Sequence, residues 1–351
     1  MIHMVLLFLA LQTGAEAAPQ HEKAGVAALK AGQVDSAIEE FKKLTEVSPQ
    51  YAEGFYELGV AYIQSKNFAE AIPPLRKAVQ LNPGLVAARE SLGYALLYQG
   101  YATEAVTQFQ AAANDPAGLG IAQMETGDLV NAVHNLQDAV NHHPGNADLL
   151  YYLARASGLL SKQLYDMLLN NFPNSPRSHQ TRAEFYSAVH QLQKAADEYQ
   201  EVLRDQPDLF DVWLSLGEVY ASANLWKQAE DAFREEIKLQ PGNAEAAYGL
   251  GKALLQDGDV HGAREQLERA NHLQPDMPET LSALGKAESQ DGNDAGAGTA
   301  WRRLIELEKT GELASQAHYG LAGVYRKQGK VQEAAEEMKA FQAARPAQKE
   351  Q

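Results

Sequence analysis

Residues 213–241 read WLSLGEVYASANLWKQAEDAFREEIKLQP. Trp213, Leu216, Gly217 and Tyr220 stand at i, i+3, i+4 and i+7, the spacing that lines one face of a helix. Ala229 and Phe233, four apart, begin a second stripe. Pro241 closes the segment, since proline lacks an N–H and turns the residue before it out of helical geometry. These residues predict two amphipathic helices joined by a turn.

The pattern recurs along the chain in both directions. With Gly217 as marker, the equivalent residues are Gly25, Gly59, Gly93, Gly120, Ala154, Ala183, Gly251, Gly285 and Ala322, and six of the nine steps are 34 residues. Twelve residues after the marker comes an alanine in nearly every repeat: Ala37, Ala71, Ala105, Ala132, Ala195, Ala229, Ala263, Ala297 and Ala334. Four residues later stands a large apolar side chain: Phe41, Leu75, Phe109, Leu136, Tyr199, Phe233, Leu267, Trp301 and Met338. Prolines at 49, 83, 144, 207, 241, 275 and 346 close most repeats.

This arrangement resembles the tetratricopeptide repeat, and the resemblance covers about 18 to 348 in about ten repeats. It implies an all-α solenoid of antiparallel helix pairs in a right-handed superhelix, of the bacterial exported type. It also implies an inner groove that receives an extended peptide or a partner helix. The residues lead to the same architecture independently of the family. Small residues sit where helix axes approach closely and large ones fill the space beside them, so each pair buries its stripes only against its neighbours. Glycines 32, 100, 127, 258, 292 and 329 mark the turns within pairs as left-handed helix ends.

The register slips twice before residue 200. The step is 27 between Gly93 and Gly120, where Asn114-Asp115-Pro116 leaves a first helix of about ten residues, and 29 between Ala154 and Ala183, where Phe172-Pro173-Asn174-Ser175-Pro176 cuts a second helix short. A step of 37 separates Gly285 from Ala322. The expected organisation is a leader at 1–17, repeat stacks at 18–173 and 174–348, and a frayed tail at 349–351.

Composition narrows the function. The 351 residues contain no cysteine, which excludes disulfides, thiolate metal sites and a cysteine nucleophile. A net charge of -16 argues against nucleic acid or an anionic membrane as partner, because either demands a broad positive field. The apolar run Met4–Leu11, followed by Ala15-Glu16-Ala17-Ala18, reads as a secretory signal cleaved after Ala17, although no Lys or Arg precedes the run. It is too short to span a bilayer, which takes about 20 apolar residues. The expected location is periplasmic or extracellular, with a cytoplasmic protein as the alternative.

No catalytic motif survives inspection. Gly251-Lys252 and Gly285-Lys286 are repeat markers and not parts of a phosphate loop. Gly118-Leu119-Gly120 and Gly296-Ala297-Gly298 lack the third glycine and the preceding strand of a dinucleotide fingerprint. His142 and His143, with His134 nearby, sit at a helix end where imidazoles cap carbonyls, and neighbouring histidines diverge where a metal needs convergence. Asp257-Gly258-Asp259 and Asp291-Gly292-Asn293-Asp294 lack the twelfth-position ligand of a calcium loop and coincide with turns. No cofactor, metal or catalytic residue is expected.

Beside the core stripe of each first helix runs a second, which in the family faces the concave surface. In repeats two and three it carries Tyr56, Val60, Tyr94 and, adjacent, Tyr98; in repeats eight to ten it carries Tyr248, Lys252, Lys286, Tyr319 and Arg326. The first set suits apolar side chains and the second an acidic or carboxylate-bearing segment. Packing of the tyrosines on the next helix, and solvation of the lysines or their pairing with Glu245 and Glu279, are the competing readings. The expected function is a non-enzymatic scaffold or adaptor that binds a peptide or protein in the groove. The alternatives are an envelope-assembly or secretion accessory using convex or end surfaces and, more remotely, a non-catalytic subunit of an enzyme complex.

Overall fold

The computed structural model describes residues 17–345, so the expected leader, apart from Ala17, and the expected tail at 349–351 lie outside them. Among the described residues there are nineteen helices and no strand. Repeat one consists of α1 (17–30) and α2 (Val34–Val47). The next three pair α3 (Ala52–Gln64) with α4 (Phe68–Leu81), α5 (Val86–Tyr98) with α6 (Ala102–Ala112), and α7 (Pro116–Thr126) with α8 (Leu129–His142). After α9 (Ala147–Asn171), α10 (Pro176–Ala188) pairs with α11 (Leu192–Asp205) and α12 (Val212–Ser222) with α13 (Trp226–Leu239). The last three repeats are α14 (Ala244–Asp257) with α15 (Val260–Leu273), α16 (Pro278–Gln290) with α17 (Asp294–Leu307), and α18 (Glu312–Lys327) with α19 (Val331–Ala344).

A single contact recurs within these pairs. A Cβ added to Gly25, Gly93, Gly120, Gly217 or Gly251 would stand 2.6–2.7 Å from the large side chain sixteen residues later, on the second helix of the same repeat. Gly59 meets Leu75 and Gly285 meets Trp301 in the same way. Three of the large rings are also gripped from the far side by a glycine of the following repeat. Phe109 lies between Gly93 and Gly118, Phe233 between Gly217 and Gly249, and Trp301 between Gly285 and Gly320. Each ring thereby couples its own hairpin to the next, the nearest-neighbour bond of a solenoid. The alanines twelve residues past the markers are all buried.

The six turn glycines have φ between 71° and 94°, as their left-handed ends require. Lys66, His190 and Asn224 occupy the same register in other repeats at φ 57–61°, so the turn does not depend on glycine. Asp259 and Asn293, from the calcium-like stretches, cap α15 and α17 by accepting from the N–H groups of Gly262 (3.0 Å) and Gly296 (3.1 Å). The step of 37 is absorbed by the connection from α17 to α18, where Gly311 adopts φ 109° and donates to the carbonyl of Ala344 at 2.9 Å.

Repeat five departs from expectation. Its second helix is not cut short; the hairpin is absent, and α9 runs unbroken for 25 residues. Asp166 and Asn170 stand where other repeats carry the alanine and the large apolar residue, so a folded-back helix would have nothing to press against the marker Ala154. The chain forms two compact units, one ending at Leu164 and the other beginning at Tyr165. The division thus falls inside α9, whereas the boundary expected at 173–174 follows the helix end.

Three hairpins are pinned by the same polar pair. Nδ1 of His21, His179 and His318 lies 2.7, 2.7 and 2.6 Å from a carboxylate oxygen of Glu40, Glu198 and Glu337, each nineteen residues later on the second helix. In repeat six Arg182 adds a 3.0 Å bond to Glu198, standing where Leu58, Leu92, Leu216, Leu250, Leu284 and Leu321 fill the core of other repeats. Burial alone would raise the Glu198 carboxyl, but the hydrogen bonds from Arg182 and His179 outweigh it and hold the group below the usual carboxylate range.

Two predictions follow from these contacts. Gly285→Ala must displace the Trp301 ring, so thermal unfolding should show a loss of about 1–3 kcal/mol. Gly298→Ala, whose Cβ meets only ordinary contacts at 3.6 Å and beyond, should gain up to about 1 kcal/mol from helix propensity. Equal effects of the two would contradict the clamp. Because the folded Glu198 carboxyl is depressed, its stabilisation is present above the unfolded value of about 4.3 and fades as pH falls through the folded one. Glu198→Gln should therefore be less stable at neutral pH by about 1–2 kcal/mol and lose less stability than wild type between about pH 5 and 3. Parallel acid-unfolding curves would refute that assignment.

Candidate groove of the second compact unit

The first helices α14, α16 and α18 form one wall of a concavity of about 890 Å³. Their core stripes face α15, α17 and α19, and this leaves Tyr248, Lys252, Lys286, Tyr319 and Arg326 on the open side, all lining this single space. Trp301 from α17 and Phe341 from α19 line it as well, with Leu255 and Leu313. Nothing lies within 4 Å of a Cβ placed on Gly323, which also borders the cleft.

On α14 to α19 some cations are paired with carboxylates: Arg264 with Asp291 at 3.0 Å, Arg303 with Asp276 at 2.6 Å, and Lys327 with Asp294 at 2.7 Å. Others are not; Arg269 bonds the Pro241 carbonyl and Arg302 the Thr299 hydroxyl. The side chains of Lys252, Lys286 and Arg326 have no ion-pair or hydrogen-bond partner among the described residues. The pairing of the lysines with Glu245 and Glu279 considered from sequence is thus not made. Among the described residues, Glu279 is the one carboxylate that borders the cleft. Burial, and secondarily the Glu279 charge, push the Tyr248 phenol up. Tyr319 is 54% exposed, its ring 5.6 Å from that of Phe341, over which Arg345 also lies. The site therefore offers aromatic and aliphatic surface with three unneutralised cations set into it. It holds no arrangement of nucleophile and base, and no group of three metal-ligating side chains occurs among the described residues.

The structure does not bring Tyr56, Val60, Tyr94 and Tyr98 to this cleft; they belong to the first compact unit. Tyr56 and Tyr94 are partly buried against the cluster around Leu92 and Phe109. Tyr94 donates to Asp115 at 2.5 Å and meets Phe109 edge-on, and burial first, then this bond, push its phenol up. Val60 is half-buried. Tyr98 is 69% exposed and stacked on Phe68 at 4.0 Å. His142 lies 2.8 Å from the carbonyl of Asp138, at the end of α8. Trp301 and Phe341 stand on second helices, outside the inner-face pattern that the first helices carry. A tryptophan where other repeats have leucine, tyrosine or phenylalanine was the available signal.

Comparison with known proteins gives one family. The tetratricopeptide repeat model matches residues 22–86, 186–244, 223–278 and 282–349. Among solved structures, MamA is similar at 22% identity over 46% of this chain and 93% of its own, with a TM-score of 0.44. YrrB, described as a TPR protein with an unusual peptide-binding site, is 19% identical over 52% of this chain and 93% of its own, with a TM-score of 0.47. Yeast Tom70 is 11% identical over 94% of this chain and 92% of its own, with a TM-score of 0.41. No curated protein matches.

Because Asp115 both caps α7 and accepts from Tyr94, Tyr94→Phe should cost about 1 kcal/mol in denaturant unfolding and leave partner capture unchanged. Lost capture at unchanged stability would return Tyr94 to the binding surface.

Proposed function

Because the chain belongs to the tetratricopeptide-repeat family, we propose that it is a non-enzymatic scaffold or adaptor that holds a peptide or protein segment in the cleft of its second compact unit. One observation carries this reading: in a chain of net charge -16, three cations in an aromatic concavity are left without carboxylate partners. Unpaired cations beside desolvated apolar surface are positioned to orient an incoming anion, while apolar contacts supply most of the affinity. The apolar run and small-residue sequence ending at Ala17 support an exported protein, working in the periplasm or outside the cell. No described helix is long and apolar enough to cross a membrane.

A second reading, contact through a convex or end surface in envelope assembly or secretion, is favoured by Phe185. This ring is 61% exposed, whereas the equivalent Ala61, Ala95, Ala122, Val219, Ala253, Ala287 and Val324 are buried.

The test is capture from the native cell, wild type against two variants, with partners identified by mass spectrometry. Lys252→Glu with Lys286→Glu should reduce capture at least ten-fold, and Gly323→Leu should obstruct the cleft at unchanged thermal stability. Undiminished capture by both variants would move the contact elsewhere, and loss on Phe185→Ser alone would favour the outer surface.

A further inference from the structure

Helices of the regular repeats keep fixed bounds about the marker. First helices run from seven residues before it to five after, as in α3, α5 and α16, and second helices from nine to twenty-two after, as in α2, α4, α13, α15 and α17. Counted forward 34 residues from Gly120, the marker of repeat five is Ala154, which places a first helix at 147–159. Counted back 34 residues from Ala183, the marker falls at Leu149, which places a second helix at 158–171. α9 runs from Ala147 to Asn171, so it is a first helix fused to a second. The step of 29 has removed the three residues that form the turn elsewhere, such as 65–67, and two more, so the halves overlap at Gly158 and Leu159. With no turn between them, neither half can fold back on the other.

Each half carries the stripe of its type and lacks the partner for it. The first half packs through Leu149, Tyr152, Leu153 and Ala156 on the clusters around Leu136 and Val140. Its marker Ala154 is exposed, whereas Ala183 and Ala322 in the same place are 0% exposed. A Cβ on Gly158, one turn further, meets nothing within 4 Å. The second half is tied to α10 by Ser178, whose hydroxyl donates to the Phe172 carbonyl at 2.6 Å. Counted from Leu149, its small and large positions hold Ser161 and Tyr165. Tyr165 is 50% exposed, whereas Phe109, Tyr199 and Phe233 in the same place are 1–4% exposed. The chain thus presents a first helix without its second and a second helix without its first.

We propose that a second copy of this chain supplies both. Two α9 helices pack antiparallel, the first half of each on the second half of the other. Ala154 then lies beneath the partner's Tyr165, the reciprocal pair forms at the same time, and Gly158 stands opposite the partner's Ser161. Leu150, Ala154, Gly158, Ser161, Tyr165 and Leu168 recur at intervals of three and four residues, so they share one face of α9, and the small residues at its middle permit close approach. Exchange of an element between copies is the known consequence of a hinge too short to close. The area suffices as well. Leu150, Tyr151, Tyr165 and Phe172 are 47–62% exposed, and with aromatic side chains offering about 150–250 Å² each, they contribute on the order of 500 Å² per protomer. Two protomers bury about 1,000 Å², the size at which a specific interface begins. This inference is independent of the cleft as a partner site.

The test uses the full chain, which has no cysteine of its own. Sedimentation equilibrium should give twice the monomer mass. Ala154→Arg, at a position exposed in the protomer, should weaken the dimer about 100-fold at unchanged helicity. A second variant restores the missing turn by placing a copy of Gln256–Val260 after Gly158; it should be monomeric, because the hairpin can then close within one chain. Residues 154 and 165 of one helix are about 16.5 Å apart, beyond the roughly 7 Å Cα separation that a disulfide spans. Under oxidation, Ala154→Cys chains mixed with differently tagged Tyr165→Cys chains should therefore give a covalent heterodimer, and either variant alone should give little. A monomeric wild type overturns the proposal and leaves the face to another partner. A dimer that survives the restored turn places the contact elsewhere, and equal crosslinking of each variant with itself overturns the register.

Discussion

The structure depends on a glycine on one helix pressed against a large side chain sixteen residues later on the next. At seven markers a side chain would occupy the space of the large residue; repeats six and ten close with the next smallest residue, Ala183 and Ala322, in that place. In three places the ring reaches a second glycine in the following repeat, and the contact that closes one hairpin also attaches its neighbour. Order therefore passes along the chain by short-range contacts, and no central core is needed.

Where both the alanine and the large residue of the second helix are missing, the architecture changes. Repeat five has Ala154 at the marker, Asp166 and Asn170 at the positions that should pack against it, and one long helix in place of a hairpin. Its turn register falls at Ser161, well inside α9. Absence of glycine is an insufficient cause, since Lys66, His190 and Asn224 turn without it. What repeat five lacks is a small and a large apolar residue at the two positions, 166 and 170, that would face Ala154 in a folded-back helix.

This explains which parts of the molecule were legible in its sequence. Hairpins are written by residues of fixed size at fixed spacing, and Gly217, Ala229 and Phe233 suffice to place one. The inner positions of α14, α16 and α18 follow from the same periodicity, so Tyr248, Lys252, Lys286, Tyr319 and Arg326 could be named beforehand. Trp301 could not be assigned to the cleft, because the position that makes it core, between Gly285 and Gly320, also makes it a lining residue. The aromatic residues of repeats two and three look equivalent in sequence. Tyr94 meets Phe109 of its own repeat and is committed to Asp115, a contact that depends on the shortened α7 and on no periodic signal. The free state of the cations was equally illegible, since Glu245 and Glu279 are near in sequence pattern and only the folded geometry leaves them unpaired with the lysines.

The most direct measurement places a photoreactive benzoyl-phenylalanine at Tyr319 of the full chain, in its own cell, and maps the crosslinked partner by mass spectrometry. If the clamped hairpins exist to hold three unneutralised cations over an aromatic floor, Tyr319 should crosslink to one acidic segment of one partner. The same probe at Tyr98 should give no specific adduct. Specific adducts from Tyr98 with none from Tyr319, or adducts at Tyr319 that map to basic or uncharged segments, would contradict the account.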